Sequence, residues 1–165
     1  MYRKIDDFEA AWIRETEGTL KMLNQLTDAS LAQAVTPSGR TLGRLAWHLV
    51  LSLPEMARHA GLAVAGPDQS APIPSAAQMA AVYARAADDV RAEIRRQWTD
   101  AQLTDEIPMY GENWAKGIVL SALLGHQAHH RGQMTVLMRQ AGLSVPGVYG
   151  PAREDWAALG LPPQE

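Results

Sequence analysis

Four stretches of this chain repeat apolar residues at three- and four-residue spacing, and none shows a convincing alternation of apolar and polar residues of the kind a half-buried strand needs. Segments of that kind bury one face against each other, so the pattern predicts an all-α fold, a four-helix bundle. The first runs from about Ile5 to Leu26, with Ile5, Phe8, Trp12, Leu20 and Leu23 on one side. The second follows the turn Thr36-Pro37-Ser38-Gly39. It opens on Thr41, whose side-chain oxygen can cap it, and carries Leu42, Leu45, Leu49, Leu53 and Met56. Pro54 inside it predicts a kink or an early end.

Gly61 to Pro74 reads as a loop, and Ser75 with Gln78 as a capping box. The box opens a third helix with Met79, Val82, Tyr83, Ala86, Val90, Ile94 and Trp98 on its buried side. Thr99 to Asn113 is polar and broken by Pro108 and Gly111, which predicts a connection. The fourth helix runs from about Trp114 to Ala141, where Gly142 suits a left-handed cap. After Leu143, residues Pro146, Gly147, Gly150, Pro151, Pro162 and Pro163 predict a Pro/Gly-rich C-terminal tail, with at most a short helix around Ala152 to Leu159. No repeat or linker divides the 165 residues, so a single domain over 1–165 is expected, long enough to bury roughly 70% of its unfolded surface.

The fourth segment holds the feature that is hardest to explain by packing alone. Gly125-His126-Gln127-Ala128-His129-His130-Arg131-Gly132-Gln133 concentrates three of the five histidines. At about 100° per residue, Val119, Leu123, His130, Gln133 and Leu137 lie within roughly 60° of His126, so His126 and His130 interrupt an apolar stripe near its middle. Inward-facing imidazoles need partners for their ring nitrogens, and one divalent cation satisfies both; two separately bonded core histidines are the alternative. His129 falls at the edge of the stripe. Arg131 points about 140° away, which suggests a structural salt bridge. His48 lies beside the core stripe of the second helix, and a bundle can bring that helix face to face with the fourth. Three histidines from two helices would suit zinc or nickel, with positions left for water or substrate.

Composition narrows the chemistry. The chain has no cysteine, so a metal site must use His, Asp, Glu or water, and thiol chemistry would need a thiol from the substrate. A net charge of −3 without a basic cluster disfavours nucleic acid. The N-terminus Met-Tyr-Arg-Lys-Ile-Asp-Asp has charges where a signal peptide would need an apolar run, so none is expected, and no run approaches the ~18 apolar residues of a membrane span. A soluble cytoplasmic protein with no membrane partner is expected.

His48 in Leu-Ala-Trp-His-Leu-Val, His126 and His130 in His-Gln-Ala-His-His-Arg-Gly-Gln, and the later Val-Pro-Gly-Val-Tyr-Gly-Pro together resemble the DinB/YfiT-like family, over nearly the whole chain. The resemblance implies a four-helix bundle, often dimeric, with a divalent metal held by one histidine of the second helix and two on the last. It carries ligand roles to His48, His126 and His130. His129 matches no ligand position and is expected beside the site or at an interface. Gln133, three residues after His130, is either a partner that holds that imidazole's tautomer or an ordinary buried glutamine. His59 reads as an exposed residue or a charge partner at a helix C-terminus. Tyr149, Tyr110 and Trp114 are candidates to line a substrate pocket.

A metal on three neutral imidazoles keeps its full charge and can lower the pKa of a bound water or thiol. Members of the family include enzymes that join a low-molecular-weight bacterial thiol to an electrophile, and one that uses such a thiol to isomerise a small dicarboxylic acid. The resemblance therefore implies a thiol-dependent S-transferase acting on a small electrophile. The alternatives are a metal-dependent hydrolase and a non-catalytic, stress-related metal-binding protein. For the hydrolase, Gln127 stands where an HExxH helix has its glutamate, which leaves Glu55 as the acidic candidate. A homodimer is expected.

Overall fold

The computed structural model describes residues 1–162; Pro163 of the tail pattern lies outside them. Four long helices dominate it: α1 (Ile5–Leu23), α2 (Leu42–His59), α3 (Ala76–Gln97) and α4 (Lys116–Gln140). α1 and α2 each pack on both α3 and α4, so the ring of neighbours runs α1, α3, α2, α4. The core between them includes Phe8, Trp12, Leu49, Leu53, Met79, Tyr83, Val119, Leu123 and Met134.

Local signals set several boundaries. Thr41 accepts from the Arg44 backbone N–H at 3.1 Å and starts α2. Ser75 and Gln78 close their capping box at the head of α3, where Asp28 also accepts from Ala76 N–H at 2.8 Å. Gly142 ends α4 with φ of 74°. Pro54 neither ends nor shortens α2, which continues to His59.

Two expectations need correction. The first helix stops at Leu23, and a 3₁₀ turn, Asp28–Ala32, follows it. The polar connection from Thr99 to Asn113 is also structured. A 3₁₀ turn (Asp100–Thr104) leads into an antiparallel hairpin of β1 (Glu106–Met109) and β2 (Glu112–Ala115), with Ile107 paired to Trp114. Trp114 therefore lies on a strand and not in α4. Tyr110 and Gly111 make the two-residue turn, both with positive φ, at 52° and 87°.

The segment after α4 forms the expected short helical turn, Arg153–Leu159, and it is docked on the bundle. Val145 is buried, and Val148 sits where a Cβ on Gly18 would fall, 2.6 Å from it, so α1 needs a glycine there. Among the described residues, no helix is long and apolar enough to cross a membrane.

Candidate metal centre

α2 and α4 face each other, and that contact brings His48 to His126 and His130. One ligand-type nitrogen from each ring lies within 4.8 Å of the others. The Nε2 atoms of His126 and His130 are 3.2 Å apart. Two nitrogens on one tetrahedral ion, each at about 2.0–2.1 Å from it, would be roughly 3.3 Å apart, so this pair has the spacing of two ligands.

The hydrogen bonds agree. His130 Nδ1–H donates to Gln133 Oε1 at 2.8 Å, which leaves a lone pair on its Nε2. The Gln133 amide nitrogen reaches His129 Nε2 at 3.1 Å, so both ends of that side chain are engaged and its orientation is set. Among the described residues His126 Nδ1 is buried with no partner, and that ring is bonded by the neighbouring imidazole alone. Burial, reinforced by the other imidazoles, lowers His126 to about 4. His48 is lowered chiefly by burial and then by His130. His130 is lowered by burial, partly offset by its bond to Gln133. Three rings that burial keeps neutral, each with a ring nitrogen within 4.8 Å of the others, are a donor set for a divalent cation, and the residues present fit one.

A cavity of about 630 Å³ opens beside His48, His126 and His129. Met56, Trp114 and Ala122 form its apolar wall, and the hairpin carries Tyr110 to its far end. There the Tyr110 hydroxyl donates to Glu55 Oε2 at 2.8 Å, while Glu55 Oε1 pairs with His59 Nε2 at 3.0 Å. Burial and the Glu55 carboxylate push the Tyr110 phenol up, which keeps it a donor. The His59 ring also lies against Tyr110, with centroids 4.7 Å apart.

Several expected residues thus meet in one place: the three histidines, His129 and Gln133 beside them, and Tyr110, Trp114 and Glu55 along the cavity. Tyr149 does not join them. It lies across α4, where its hydroxyl bonds Glu15 at 2.7 Å and Arg131 at 2.5 Å. Arg131 makes the expected salt bridge, yet it is buried, held by Glu15 and by Thr19 Oγ1 at 2.8 Å. Gln127, also fully buried, accepts from Thr19 and Tyr83 on that side of the helix, away from the histidines. Sequence reasoning missed this polar cluster because a single apolar stripe was assigned to α4. The signal was a glutamine and an arginine four apart, inside a helix that is apolar on several sides.

The DinB family model matches residues 1–165. A Bacillus subtilis (strain 168) protein, YrdA, is 44% identical over 162 residues, covering 98% of this chain and 97% of its own. The crystal structure of a DinB-like protein from Bacillus cereus ATCC 10987 superposes with a TM-score of 0.86 at 45% identity, covering 90% of this chain and 100% of that one. A second DinB-like crystal structure, YjoA of Bacillus subtilis, shares the fold with a TM-score of 0.68 at 16% identity, over 88% of this chain and 99% of its own. Coverage from end to end and identity well above the level that marks common descent make this chain a member of the DinB family.

Proposed function

We propose that His48, His126 and His130 hold one divalent cation, zinc or nickel, and that the site transfers a low-molecular-weight thiol to a small electrophile. The observation that carries the metal reading is the convergence of three neutral imidazoles, two of them with Nε2 atoms 3.2 Å apart. A cation bound there would lower the pKa of a thiol or water next to it by several units.

The chain's own residues do the rest. Gln133 fixes the His130 tautomer that presents its lone pair, and Met56 and Trp114 keep the cavity wall apolar, so an uncharged electrophile can lie beside the histidines with little water. In the transfer the sulfur forms a bond to the electrophilic carbon, the leaving group departs with the bonding pair, and the proton given up by the thiol leaves with that group or to solvent. The thiol comes from the substrate, since the chain has none. Thiol transfer is favoured over hydrolysis because a water nucleophile would benefit from a free carboxylate base. Among the described residues Glu55 is the acidic one lining the cavity, and it stands about 10 Å along α2 from His48, too far to serve as base for a water held at the histidines.

Elemental analysis of tag-free protein tests the metal reading. About one zinc or nickel per chain in the wild type, lost in His48→Ala and His130→Ala, supports it. A wild type that holds none even after reconstitution overturns it. Thiol-dependent consumption of an electrophile by loaded protein then separates a transferase from a site that only binds metal. The homodimer implied by the family is also a proposal, and light scattering that returns a monomer at micromolar concentration would count against it.

A further inference from the structure

The cavity beside the histidines is polar at its two ends and apolar between them. On α2, His48, Ser52 and Glu55 follow one another along the same face, and the helical rise places the His48 and Glu55 Cα atoms roughly 10 Å apart along the axis. Ser52 between them turns its hydroxyl back to Leu49 O at 2.8 Å, so the middle of the wall offers a ligand little polarity. Among the described residues no lysine or arginine lines the cavity.

Among the described residues that line it, Glu55 therefore carries the one formal charge. An ionised carboxylate has about four acceptor directions. Tyr110 and His59 occupy two, one on each oxygen. The rings of Tyr110 and Trp114, with centroids 5.8 Å apart, stand beside the same end. A carboxylate with open lone pairs next to two aromatic rings selects for a cation.

We propose that this end of the cavity is an ammonium subsite, and that the cavity takes a small molecule with a metal-seeking donor at one end and a protonated amine at the other. The metal-seeking end rests on the proposed three-histidine centre; the ammonium end does not. Glu55 accepts from the amine, and Tyr110 and Trp114 lie against its charge. The class of molecule is an amino-thiol, whose amine is too far from the sulfur to compete for the cation.

Calorimetry on metal-loaded protein with ω-aminoalkanethiols of increasing length, beside the matching alkanethiols and ω-mercaptocarboxylates, tests this. The expected result is an intermediate length bound about tenfold more tightly than its uncharged counterpart, with the carboxylate weakest. Glu55→Gln, which keeps an acceptor for the Tyr110 hydroxyl, should erase that preference while its thermal melt stays close to wild type. Equal affinity for the three end groups, or a preference that survives in Glu55→Gln, overturns the proposal. An n-alkylammonium ion titrated into metal-free protein, read by amide shifts at Gly111 and at the Trp114 indole, separates the two readings. Shifts in the wild type that vanish in Glu55→Gln support the ammonium subsite even if the protein holds no metal. Metal held without any such shifts overturns the subsite and leaves the metal reading standing.

Discussion

Burial and the neighbouring imidazoles hold His126 at about 4, against an ordinary value of 6.5. The unfolded chain therefore binds a proton across that window that the folded chain refuses. This contribution to the stability of the metal-free protein is fully present above about pH 6.5 and is lost as pH falls towards 4, and the depressed His48 and His130 add to it with the same sign. Thermal melts of metal-free protein across that range should fall steeply, and His126→Asn should flatten the slope. Gln133 makes a second prediction at this scale. Removing the group that orients His130 should weaken metal affinity about 10- to 100-fold in Gln133→Ala without abolishing it, as read by chelator competition. Each role was partly legible in the sequence, since Gln133 falls three residues after His130. That Gln133 also bonds His129 depends on side-chain rotamers that spacing does not give.

Helix boundaries follow local chemistry and are testable locally. Ser75 caps α3 through Gln78 N–H, so Ser75→Ala should cost about 1 kcal/mol in chemical denaturation. Asp28 holds a second backbone N–H at the same end and limits the loss. The hairpin is the element that the sequence concealed. Each strand has four residues, too few for alternation to register, and β1 contains Pro108. Its turn places a tyrosine at positive φ, where Asn, Asp or Gly is usual. Only Gly111 at the second turn position marked it. The consequence is functional, because the hairpin brings Tyr110 and Trp114 to the cavity.

Across the whole molecule, α4 serves two sites from opposite sides: histidines towards α2, and Gln127 and Arg131 towards α1 and the C-terminal segment. Arg131 pairs with Glu15 in the interior, where it also binds Thr19 and Tyr149. Arg131→Ala leaves Glu15 and Thr19 without that partner and should cost ~3 kcal/mol of stability. Metal content per folded chain should stay unchanged, because the side chain faces away from the histidines; a folded variant that loses its metal would contradict this division of the helix.

The sequence by itself determined the helical class, most helix boundaries, the inward direction of His126 and His130 and, through resemblance, the family. These depend on periodicity and caps, which act within a few residues. Only the tertiary structure decided that His48 meets the other two, that Glu55 bonds Tyr110 while Tyr149 lies across α4, and that Arg131 is buried. Those contacts join residues from about 50 to more than 130 positions apart, and they depend on how helix faces choose their neighbours when the core packs.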